Sequence, residues 1–111
     1  MNTIYEDVEL INDWVNAGMP AAYRDQPLAL AWARVAKCGE EAGEAIEALT
    51  GMSGANIRKG VCSTLDDVLA ELADVVVTGL AAIQHFTGDR GVTQVVVEKK
   101  IAAIIARAGI R

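Results

Sequence analysis

The stretch "VLAELADVVVTGLAAI", residues 68–83, decides the fold, because Val75-Val76-Val77 at its centre reads locally as a strand. The flanks outweigh that run. Apolar residues stand at 68, 69, 72, 76, 80 and 83, a three-and-four spacing that predicts one helix. The second β-branched run, Val95-Val96-Val97, sits in a similar frame, with apolar residues at 97, 101, 104 and 105. Both runs are therefore read as helical, and the chain as all-α. Upstream, STLDD (63–67) offers an N-cap with an acidic first turn, either Ser63 with Asp66 or Thr64 with Asp67. That helix should run to about Phe86, followed by a turn at TGDRG (87–91) and a last helix over roughly 92–108.

The first half completes a bundle. Apolar residues at 4, 8, 11 and 15 predict a helix from Ile4 to about Ala17, which Gly18, Pro20 and the YRDQP stretch interrupt. Pro27 suits a helix start, and the pattern runs from Leu28 to about Leu49 before Thr50-Gly51 ends it. GMSGANIRKGV (51–61) reads as a loop with two adjacent cations. A chain of 111 residues is one domain, and a composition 52% hydrophobic but poor in aromatics leaves Ala, Val, Ile and Leu to fill the core. Small side chains favour close helix packing. The expectation is a single-domain bundle of four to five helices over residues 1–111.

Composition also excludes functions. A net charge of −5 argues against binding nucleic acid polymers or anionic membranes through charge. Val75–Ile83, the longest apolar run, is broken by Thr78 and falls far short of the ~20 residues that span a bilayer. The acidic N-terminus has no signal-peptide pattern. Cys38 and Cys62 form no CxxC and read as free, partly buried thiols. These features predict a soluble, cytoplasmic protein.

The carboxylates are harder to explain as surface. Glu41 and Glu44 lie three apart, and Glu71 and Asp74 repeat that spacing inside an apolar helix. Asp74 is expected to point into a region meant for burial, and no Lys or Arg lies between Lys59 and Arg90 to neutralise it. Two antiparallel helices each offering such a pair converge on an all-oxygen site that suits Mg²⁺ or Mn²⁺. A di-iron or di-manganese bundle would need Glu-x-x-His motifs, and the sole histidine, His85, forms none.

"EEAGE" (40–44), followed after 26 positions by "ELAD" (71–74), resembles the ExxE…ExxD signature of the MazG-like all-α nucleoside triphosphate pyrophosphohydrolases. The resemblance runs from about Trp32 to Lys99. It takes in Lys37, the "IRKGV" loop and "EKKIAAIIAR" at the position of the family's late Lys-bearing helix. The last helix is unusually Val-rich for the family, and the N-terminal third matches none of its motifs. The resemblance implies Mg²⁺-dependent hydrolysis of a (d)NTP to the monophosphate and pyrophosphate. Glu41, Glu44, Glu71 and Asp74 would be the metal ligands, with Mn²⁺ a possible substitute for Mg²⁺. It also implies a homo-oligomer, dimer or tetramer. Ile11, Ile101 and Ile105 are the residues expected to complete their burial against another subunit.

The remaining candidates each carry a plainer reading. Glu40 helps hold a second metal or orient water, or is a solvated neighbour. Arg58 and Lys59 hold phosphates or are ordinary loop cations. Lys99 matches the family's late lysine or is a surface cation; Lys37 serves substrate or salt-bridges Glu41 four residues on. Trp32 stacks on a base or packs in a core or interface. His85 is expected to cap its helix, and Glu47 to be solvated. The rival to an enzyme is a non-catalytic helical oligomerisation or regulatory module that keeps the fold.

Overall fold

Helix ends are set by residues that the sequence places there. The computed structural model describes residues 1–110. It contains α1 (Ile4–Gly18), α2 (Ala21–Arg24), α3 (Pro27–Ser53), α4 (Leu65–Thr87) and α5 (Arg90–Ala108), with no strand among the described residues. Thr64 caps α4: its hydroxyl accepts from the Asp67 N–H at 3.3 Å, and the Asp67 carboxylate accepts from the Thr64 N–H at 2.8 Å. That choice leaves Ser63 free to face the end of α3. Thr3 and Glu6 form the same reciprocal box at α1. Pro27 opens α3 in its first turn, where its missing N–H costs nothing. Both valine runs are helical, each lying inside a long capped helix whose flanking residues outweigh the local β-propensity.

Three boundaries differ from expectation. The interrupted stretch after α1 holds a one-turn helix, α2. α3 continues to Ser53 before Gly54, at φ 72°, caps it in the left-handed region. α5 begins at Arg90 because the Asp89 side chain accepts from the Val92 N–H at 3.0 Å. His85 does not cap α4; Gly88, at φ 68°, ends that helix.

α3 and α4 form the main antiparallel pair, α1 packs on α4, and α5 lies against α4 and α1. The core between them is thin. Its buried apolar residues are Val8, Ala45, Ala48, Val68, Ala81 and Ala82, small side chains that fit closely approaching helices. α5 buries only Thr93, whose hydroxyl donates to Gln84 Oε1 at 2.7 Å. Large apolar side chains are left outside: Leu69, Leu72, Val76, Val95 and Ile101 are each about half or more exposed.

The dimensions agree. The radius of gyration is 16.8 Å, against about 13 Å for a compact domain of this length. The accessible surface is 7811 Å², against about 5,900 Å² for a compact monomer of this mass. The excess is about 1,900 Å², and many large apolar side chains are among the exposed residues. α4, at 23 residues with an 18-residue window of mean hydropathy 1.4, is also long and apolar enough to cross a membrane by length and composition. That property exceeds what the nine-residue run Val75–Ile83 suggests, and core helices of water-soluble proteins share it.

Candidate metal centre

On α3, residues 34, 37, 41, 44, 48 and 51 follow one another at three-and-four spacing and form one face. Arg34, Glu41, Ala48 and Gly51 of that face are buried. Glu41 is only 7% exposed. Its neighbours are Glu44 one turn on and Glu71 from α4, and one carboxylate oxygen from each of the three lies within 4.8 Å of the others. Lys37 Nζ meets Glu41 Oε1 at 3.1 Å and Glu40 Oε1 at 3.3 Å, so one oxygen of Glu41 is held in place. Its Oε2 has no partner, and neither has Oε2 of Glu71.

Electrostatics reflect the crowding. A hydrogen bond shared with Glu41, then the negative charge of Glu41, holds the Glu44 carboxyl above the usual carboxylate range, and Glu71 adds to the effect. The hydrogen bonds to Glu41 and Glu40 raise Lys37 above the ordinary lysine value. Carboxylates this close need a proton or a cation between them. Two unpartnered acid oxygens and an all-oxygen donor set fit a hard divalent cation such as Mg²⁺ or Mn²⁺.

Glu44 and Glu71 of the trio line a cleft of about 430 Å³ whose walls also include Glu47, Lys59 and Asp67, with Glu41 buried behind them. Backbone shape makes room for it. The loop after α3 returns so that the Cys62 N–H donates to the Gly51 carbonyl at 2.9 Å. A Cβ on Gly51 would stand 2.5 Å from Ser63 Oγ and 3.1 Å from Cys62 Sγ, so any larger residue would force Ser63 and Cys62 to shift. Lys59 is held beyond it by hydrogen bonds from its N–H to Asn56.

The other candidates fall in different places. Glu40 is exposed beside the trio, tied to Lys37. Asp74, expected to point inward, is exposed in the single chain and outside the trio. Arg58 is exposed and does not line the acid cleft, whereas Lys59 does. Lys99 lies along an apolar groove of about 700 Å³ between α4 and α5, away from the acids. Trp32 is 70% exposed and meets Leu28, Val35 and Phe86 in a shallow apolar depression rather than a core. Cys38 is half-buried, and Cys62 is exposed on the cleft wall.

Sequence reading missed Asp67, Asn56 and Gly51 as cleft residues. Asp67 lies four before Glu71, and Gly51 seven after Glu44, so helical spacing held the signal for both. Glu47 is exposed as expected, yet lines the cleft. Comparison of the chain with protein-family models, curated proteins and solved structures finds no match, so the chemistry of the cleft is read from its own residues.

Proposed function

We propose that the protein is a Mg²⁺-dependent nucleoside triphosphate pyrophosphohydrolase with a MazG-like all-α fold, cleaving (d)NTPs to the monophosphate and pyrophosphate in nucleotide-pool house-cleaning. The observation that carries this reading is the trio of buried Glu41 and half-buried Glu44 and Glu71, with two unpartnered oxygens, beside a cleft lined by Lys59. The spacing of EEAGE and ELAD supports it as a resemblance.

Glu41, Glu44 and Glu71 would hold the cation, with Asp74 the fourth acid of the set. When bound, Mg²⁺ supplies positive charge to phosphate oxygens and lowers the pKa of water. Lys37 fixes Glu41 by its ion pair and leaves the second oxygen free. Lys59 faces the same cleft and supplies a positive charge for triphosphate oxygens. Glu47 and Asp67 on the cleft wall can accept a proton or orient water. Phosphoryl chemistry depends mainly on positioning and charge, which such a set can provide.

A homo-oligomer, dimer or tetramer, belongs to the same proposal. The excess surface of about 1,900 Å² per chain lies well above the ~800 Å² that each partner contributes to a standard interface. Lys99 and the apolar groove beside it would then belong to the subunit contact.

A screen of canonical and modified (d)NTPs with Mg²⁺, reading pyrophosphate against orthophosphate, tests the activity. Pyrophosphate as the first product is expected. Orthophosphate as the first product would place the cleavage at the terminal phosphate and reject the proposed bond, and no product from any nucleotide would leave a non-catalytic helical module.

A further inference from the structure

We propose that the cavity between α1, α3 and α4 is a binding site for a small aliphatic carboxylate, anchored by Arg34. The site is separate from the acid cleft and requires neither metal nor nucleotide.

Arg34 is 6% exposed. Its hydrogen-bond partner is the neutral Asn12, whose Oδ1 accepts from Nη2, and its Nε has no partner. Among the described residues no carboxylate pairs with it. Of the other groups nearby, only Cys38, one turn along α3, acts to raise the Arg34 pKa, and it does so less than burial lowers it. Asn16 is neutral, and its Nδ2 lies 3.5 Å from His85 Nδ1. Burial, then the charge of Arg34, lowers the His85 pKa and favours the neutral ring. Burial likewise lowers Arg34 itself. A buried cation left without an anion is costly, and fixed guanidinium groups in such places bind oxyanions.

The cavity that Arg34 lines measures about 250 Å³ and is more closed than the acid cleft. Ile11, Val15, Met19 and Val77 form its walls, with Lys37 at one side. Lys37 is already committed to Glu40 and Glu41, so one cation is available. A guanidinium matches a carboxylate in a planar, two-pronged contact. A phosphate dianion would lose its hydration to hydrocarbon walls for a single positive charge, whereas a monoanion with a short alkyl chain matches both head and walls.

The test is ¹⁵N–¹H NMR of the arginine Nε–H groups in the full chain, with hexanoate as probe and hexanol and inorganic phosphate as controls. A saturable downfield shift of the Arg34 Nε–H with hexanoate alone, and a rise of several degrees in Tm at saturation, is expected. Arg34→Met should abolish the Tm response. If that variant does not fold, Ala33→Leu narrows the cavity while keeping Arg34, and should abolish the shift. No shift at millimolar hexanoate overturns the proposal, leaving a bridging water as the partner of Nε. An equal response to hexanol or phosphate overturns it too. So does an Nε–H that moves with protein dilution instead, which would mark a carboxylate from a second copy. None of these outcomes bears on pyrophosphate release.

Discussion

Glu71→Gln removes one charge from the acid trio at nearly constant shape, and the consequences differ with and without divalent cation. Glu41 and Glu71 have ligand oxygens within 4.8 Å. Two unit charges at that distance repel by ~1 kcal/mol in water and by ~3.5 kcal/mol at an effective dielectric of about 20. Glu41 is buried and Glu71 half-buried, so the relief lies between those bounds. The new amide can also donate to the unpartnered Glu41 Oε2. In EDTA the variant should melt at least about 4 °C above the parent, since ~1 kcal/mol is worth about that much in a chain of this size. Mg²⁺ at a hundred times its Kd should stabilise the parent by about 2.7 kcal/mol, while the variant loses most of that gain and nearly all turnover. Melts of both proteins in EDTA and in Mg²⁺ decide it. Equal Mg²⁺ shifts, or a variant less stable than the parent in EDTA, would refute the reasoning.

Other expectations follow from the same geometry. Lys59→Ala should lower kcat/KM by roughly ten- to a hundredfold, about 1.5–3 kcal/mol of lost charge-assisted contact, and leave cation affinity nearly intact; unchanged kinetics would assign Lys59 to solvent. Gly51→Ala should destabilise by about 1–3 kcal/mol, because the loop carrying Cys62 and Ser63 must move; an unaltered Tm would contradict the close approach. Burial, then Arg34, lowers the His85 pKa, so below about pH 6.5 the unfolded chain binds more protons there and stability falls until the folded pKa is passed. His85→Gln should flatten that acid-side loss in melts run across the window, and an unchanged profile would remove His85 as its source. Light scattering at micromolar concentration should return more than one chain; a monomer mass would leave the excess apolar surface unexplained.

The helical framework was legible because each end carries a local signal: Thr64 with Asp67, Pro27, Asp89 and the glycines beyond the last turns. Glu41 and Glu44 were legible from their i,i+3 spacing on α3, and packing of α4 against α3 brings Glu71 to them. Asp74 shows where that reasoning fails. Spacing places it one turn from Glu71, but the rotation of α4 against α3 determines whether that turn is covered, and no local rule sets it. Arg34 was hidden for a related reason. An arginine between apolar residues reads as surface, and its burial depends on α1 crossing that part of α3 with Asn12 facing it. Lys99 illustrates the same limit: its place beside the α4–α5 groove follows from how α5 leaves the turn at Gly88-Asp89, which the helix pattern alone does not specify.

The central claim is that Glu41, Glu44 and Glu71 form a divalent cation site, and Mn²⁺ titration followed by electron paramagnetic resonance tests it most directly. The parent should show saturable binding that Mg²⁺ displaces. Glu41→Gln should abolish it, because this buried carboxylate is the centre of the trio, and Asp74→Asn should weaken it if the fourth acid joins the set. Absence of saturable Mn²⁺ binding in the parent, or binding that Glu41→Gln leaves unchanged, would contradict the account.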